Sequence, residues 1–101
     1  VEEKIVALLH DVIEDTEITP TSLLSEGFPE HIVEAILSVT KQENENYDDF
    51  VKRCSANSIG KAVKIHDLED NMDITRLKEL SENDLERLNK YLKAYYYLKG
   101  E

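Results

Sequence analysis

Two short segments carry the side chains with which this chain could do chemistry: LLHDVIEDT, from Leu8 to Thr16, and VKIHDLEDNMD, from Val63 to Asp73. In the first, His10 and Asp11 are adjacent, and Glu14 and Asp15 follow one helical turn later. In the second, Asp67 leads to Asp70, Asn71 and Asp73. Residues three and four apart share a helix face, so His10 goes with Glu14, Asp11 with Asp15, and Asp67 with Asn71. His10 and Asp11 differ by about 100° around the axis, close enough for both to reach one ion at the edge of a helix interface. Imidazole and carboxylate oxygens together suit Mn²⁺, Fe²⁺, Zn²⁺ or Co²⁺. A cation so held lowers the pKa of bound water and polarises a phosphoryl oxygen, which is the chemistry of metal-assisted phosphoester hydrolysis. Glu14 and Asp15 are then spaced to position or deprotonate the attacking water, or to protonate the leaving oxygen.

Each of these residues has a plainer competitor. A His beside an Asp on a surface helix is ordinarily solvated. The neighbourhood argues otherwise here, because Ala7, Leu8 and Leu9 precede the pair and Val12 and Ile13 follow it. A carboxylate set so closely among apolar residues costs stability unless it is paired or metal-bound. Asp67, between Ile65 and Leu68, poses the same question. His31 falls just inside a helix start and reads as surface. His66 reads as half-buried packing or a hydrogen-bonding support rather than a ligand. Tyr95, Tyr96 and Tyr97 read as rings packing a helix with their hydroxyls at its edge.

The elements that must position these groups are helical. Apolar residues at Ile5, Leu8, Leu9, Val12 and Ile13 make a one-sided stripe over residues 1–15. Thr16 to Thr19 read as a loop, and Thr19-Pro20 as an N-cap with proline at the first helical position of a short helix that Gly27 ends. Pro29 starts the next helix, with Ile32, Val33, Ile36 and Leu37 expected inward. KQENEN, residues 41–46, reads as a polar, mobile loop. A fourth helix is expected over Tyr47 to Cys54, burying Phe50, Val51 and Cys54. Asn57 or Ser58 caps a fifth that runs through Met72. Ser81 with Asp84 resembles a capping box, opening a last helix to about Lys99 with Leu85, Leu88, Leu92 and Tyr95 on one face. There is no strand series, so the expected class is all-α.

Composition narrows the function further. At 101 residues, with 41% hydrophobic and 34% charged positions, the chain suits one domain with one modest core. Three Gly and two Pro leave few breaks in the helices. One cysteine, Cys54, excludes an internal disulfide and fits a reducing, cytoplasmic setting. The net charge of −10 argues against nonspecific binding to nucleic acid or to anionic membranes. No apolar run approaches the ~18 residues of a membrane span, and VEEKIVALL lacks the basic leader and cleavage site of a secretory signal. The chain opens at Val1 inside a helical pattern, so a partial domain is expected.

Taken together, these residues resemble the HD-domain metal-dependent phosphohydrolases, above all the RelA/SpoT-type hydrolase domain that removes the 3′-pyrophosphate of guanosine polyphosphates such as ppGpp. LLHDVIEDT resembles that family's HD segment and its ED pair, GFPEHIVEAILSVTK the stretch that follows, and VKIHDLEDNMD its last metal-binding segment. The likeness reaches to about Leu77, and RLNKYLKAYYYLKGE resembles the closing helix of small members. It implies a compact helical bundle over residues 1–101, a single HD domain lacking its first helices. It implies His10, Asp11 and Asp67 as metal ligands, most simply for Mn²⁺, and Glu14 and Asp15 as the catalytic pair. Asn71 would contact the substrate, Thr40, Lys41 and Tyr47 match positions lining the nucleotide pocket, and Lys64 matches a basic residue usual in its segment. Arg76, placed just after NMD, is positioned by our own reading to meet a phosphate. Two features depart from the pattern. The family uses a further His upstream of the HD pair, and His66 stands where members carry a small apolar residue.

Two functions of different class follow. The first is a metal-dependent phosphohydrolase acting on a guanosine polyphosphate or a related nucleotide. The second is a non-catalytic helical domain that binds nucleotide or a protein partner through an incomplete metal site. The sequence leaves the oligomeric state open.

Overall fold

Capping side chains set the helix ends along most of the chain. The computed structural model describes residues 2–15 and 19–100, and of residues 11–15 the backbone alone. Among the described residues the chain is all-α, with no strand. The helices are α1 (Glu2–Asp15), α2 (Pro20–Ser25), α3 (Glu30–Ser38), α4 (Tyr47–Ser55), α5 (Ser58–Asn71) and α6 (Glu82–Lys99), with a single 3₁₀ turn at Ile74–Arg76. The Thr19 hydroxyl accepts from the Ser22 amide at 3.1 Å and opens α2. That helix ends in a Schellman turn: Phe28 N–H donates to the Leu23 carbonyl and Gly27 N–H to the Leu24 carbonyl, both at 3.1 Å. Gly27 sits at φ 94°, where a side chain would strain the backbone. The loop expected at Thr16 to Thr19 falls largely on residues 16–18, outside the described ones.

Residues 1–64 and 65–101 form two compact units, and the boundary falls within α5. In the first, α3 packs against α1, α2 and α4. Its core gathers Val6, Leu23, Ile32, Val33, Ile36, Phe50 and Cys54, with Ile5, Leu9 and Ile59 packed against it. The inward stripe of α1 therefore runs through Val6 and Leu9. Leu8, expected on that stripe, is 69% exposed. Leu37 is likewise exposed, because Ala35 and Ile36 take the inward face of α3. Phe50, Val51 and Cys54 are buried as their spacing predicts.

Asn46 and Asp49 cap α4 reciprocally: the Asp49 amide donates to Asn46 Oδ1 at 2.8 Å, and Asn46 Nδ2 donates to Asp49 Oδ2 at 3.1 Å. At the start of α5 the Asn57 side chain accepts from the Gly60 amide at 2.8 Å. Gly60 is buried where α5 meets α3, and a methyl group there would collide with the Ser38 hydroxyl and come within 3.1 Å of its Cβ.

In the second unit, α5 ends at Asn71, one residue before Met72, and Asp73 accepts from the Thr75 amide and hydroxyl to start the 3₁₀ turn. Those two hydrogen bonds hold the Asp73 carboxyl below its ordinary value. Ser81 and Asp84 form the expected capping box on α6. The buried positions of α6 are Ala94 and Leu98, whereas Leu85 and Leu92 are exposed. The expected face is thus split, because Leu88 on it is half-buried. Tyr95 is half-buried and donates its hydroxyl to Glu69 on α5 at 3.3 Å, while Tyr96 and Tyr97 are exposed.

Candidate functional site

Both motif segments are helical, which fixes the spacing of their donors. On α1, His10 and Glu14 stand one turn apart, as do Asp11 and Asp15. The His10 side chain is half-buried. The side chains of Asp11, Glu14 and Asp15 lie outside the described ones, so those residues are placed by their helical register alone.

On α5, Asp67 and Asn71 are also one turn apart. Asn71 Nδ2 donates to the Asp67 carbonyl at 2.8 Å and to its carboxylate Oδ1 at 3.2 Å. The amide thereby holds one oxygen of an exposed carboxylate. His66 is exposed rather than half-buried, and its Nδ1 faces Glu69 at 3.4 Å. About 100° around the axis from Asp67, it belongs to another helix face. Arg76 donates to Asp70 at 2.8 Å, a surface pair within the second unit. His31 is exposed as expected, 3.3 Å from Glu2.

The four residues matched to a nucleotide pocket all fall in the first unit. Lys64 places its ammonium 5.7 Å from the Tyr47 ring centroid and 5.2 Å from that of Phe50. The two rings meet edge to face at 6.2 Å. A cation over aromatic faces is held by their quadrupoles, which gives this ammonium a preferred position. Thr40 donates its hydroxyl to the Ile36 carbonyl at 2.7 Å, and Lys41 follows it, exposed, at the start of the loop.

Spacing does not reveal the residue that organises this loop. Arg53, on the last turn of α4, donates through Nε to Glu45 Oε2 and through Nη2 to Oε1, both at 2.8 Å. It also donates to the Leu37 carbonyl at 2.6 Å and the Thr40 carbonyl at 2.7 Å. Its guanidinium carbon lies 5.7 Å from the Phe50 centroid. The segment 41–46, expected to be mobile, is therefore pinned at Thr40 and Glu45. The hydrogen bond from Arg53, with another from the Gln42 amide, pulls the Glu45 carboxyl from 4.5 down to about 2. A carboxyl depressed in the folded state stabilises it above its ordinary value, and that contribution is lost as pH falls through the folded value. The urea midpoint of Glu45→Gln should accordingly lie below the wild type at neutral pH, with the gap closing between pH 4.5 and about 2. A gap independent of pH would contradict the assignment. The adjacent Cys54 donates to the Ser38 carbonyl at 3.0 Å, and burial pushes its thiol up to about 11, which removes it as a nucleophile at neutral pH.

Imidazole and carboxylate are the donors a divalent first-row cation takes, and the Asn71 amide on Asp67 is the kind of support that orients a ligating carboxylate. The donor chemistry thus fits the cation. His10 lies in the first unit and Asp67 in the second. Among the described residues, no three His, Cys, Asp or Glu side chains gather at metal-binding distance. Among them, too, no helix is long and apolar enough to cross a membrane. Compared with protein-family models and with curated proteins, the chain matches none.

Proposed function

We propose that the intact protein is a cytoplasmic, metal-dependent phosphohydrolase of the HD type, acting on a guanosine polyphosphate of the ppGpp kind or a related nucleotide. The observation that carries this reading is the pair of helical motifs, HD with ED on α1 and DxxxN on α5, the second with its amide hydrogen-bonded to its carboxylate. His10, Asp11 and Asp67 would hold Mn²⁺. Bound there, the cation supplies Lewis acidity toward a phosphoryl oxygen and a water of lowered pKa.

The chain's own residues do the rest. Asn71 orients the Asp67 carboxylate and stands beside the substrate. Glu14 and Asp15, one turn beyond the HD pair, place the attacking water, remove its proton and return a proton to the leaving oxygen. Thr40, Lys41, Tyr47 and Lys64 offer hydroxyl, ammonium and ring surface to a nucleotide whose charge the acidic chain would otherwise repel. Arg76 meets a phosphate by exchanging its surface pairing with Asp70.

Incubation of the intact protein with ppGpp and Mn²⁺ tests the reading. Release of pyrophosphate that stops on adding chelator supports it. Absence of such release rejects the substrate. Absence of Mn²⁺ uptake by calorimetry as well leaves the non-catalytic binding domain as the function.

A further inference from the structure

We infer that Arg53 is a positioning residue for the nucleotide-binding face, acting through Glu45 and the carbonyls of Leu37 and Thr40. The inference rests on the proposed function and names a residue that neither motif contains. Thr40 and Lys41 lie just past the end of α3, Tyr47 opens α4, and the segment between them must return the chain from one helix to the other. Backbone hydrogen bonding within that return is sparse, a single 3.2 Å bond from Glu45 N–H to the Gln42 carbonyl. The guanidinium supplies what the backbone does not. It anchors the end of α3 at two carbonyls and the loop at a carboxylate, all from one rigid fork.

Burial explains why such a link is durable. The Glu45 side chain is only 10% exposed and that of Arg53 29%, so the pair is shielded from the screening that weakens surface ion pairs. Arg53 also leans on Phe50, one of the two rings over which Lys64 is held. One side chain thus touches both halves of the face, the Thr40 carbonyl at the loop start and Phe50 in the Tyr47–Phe50–Lys64 group. It touches no substrate itself.

A lysine in this place keeps the charge but cannot span two carboxylate oxygens and two carbonyls together. In the intact, Mn²⁺-loaded protein, Arg53→Lys is therefore expected to raise KM for ppGpp roughly tenfold, the scale of a sub-ångström misplacement. kcat and Mn²⁺ affinity should be unchanged, and amide exchange across residues 40–47 should be faster. Glu45→Gln, which keeps the shape and loses the charge, should move KM the same way by less, and it decides the matter if Arg53→Lys does not fold. A purely structural role would lower the urea midpoint and leave the KM of the folded protein alone, so an unchanged KM in a folded variant overturns the inference. If wild-type protein neither binds nor hydrolyses ppGpp, the proposed function has failed first and this inference falls with it. Failure in the variants alone leaves the function standing.

Discussion

Asp67→Ala is expected to leave the protein folded yet unable to retain Mn²⁺ or to release pyrophosphate from ppGpp. The side chain is exposed, so its removal changes stability by about 0.5 kcal/mol or less, as for most surface substitutions. The loss falls on metal affinity, because an oriented carboxylate is replaced by a methyl group. Glu14→Ala gives the contrasting result. One turn beyond His10, Glu14 is proposed for proton handling, and its removal should spare Mn²⁺ while slowing turnover by ~10² to 10⁴, the usual worth of a positioned acid or base. Metal content by mass spectrometry and initial rates on the same preparations separate the two. Equal loss of metal in both variants would contradict this division of roles.

Gly60→Ala carries the largest expected effect on folding. The added methyl meets the Ser38 hydroxyl, which is buried and donates to the Ala35 carbonyl at 2.6 Å, so it cannot simply swing into solvent. Its Cβ, at 3.1 Å, would also have to give way. Either α5 lifts from α3 or the serine abandons its hydrogen bond. Overpacking of this kind costs about 1–3 kcal/mol, even though alanine favours the helix by up to ~1 kcal/mol over glycine. Removing the hydroxyl with Ser38→Ala should recover part of the loss, and urea denaturation of the two single variants and the double variant measures the coupling. A Gly60→Ala protein as stable as wild type would show that the two helices meet less closely than the structure has them.

Local chemistry made much of the fold legible beforehand. Thr19 before Pro20, Gly27 after a short helix, and Ser81 with Asp84 each specify a helix end through hydrogen bonds made within five residues. Burial was less legible where apolar residues outnumber the inward positions. Leu8, Leu37, Leu85 and Leu92 satisfy a helical period, yet Val6, Ile36, Ala94 and Leu98 occupy the buried faces. Period identifies a stripe, and the packing partner selects among stripes. Arg53 lay beyond reach for a different reason. Its partners are eight, thirteen and sixteen positions away, separations at which no helical or turn rule applies. The donors of the proposed metal site were conspicuous from residue type and spacing within each segment, but a meeting of the two segments, as proposed, would be a tertiary property that neither spacing contains.

That meeting is the central claim, and a Mn²⁺ titration of the intact protein in a double-mutant cycle over His10 and Asp67 addresses it most directly. If one ion lies between imidazole and carboxylate, His10→Ala and Asp67→Ala each weaken Mn²⁺ binding severely, and the double variant loses little more than either alone. Losses that simply add, or a variant that binds Mn²⁺ as the wild type does, would mean that the two residues do not share an ion.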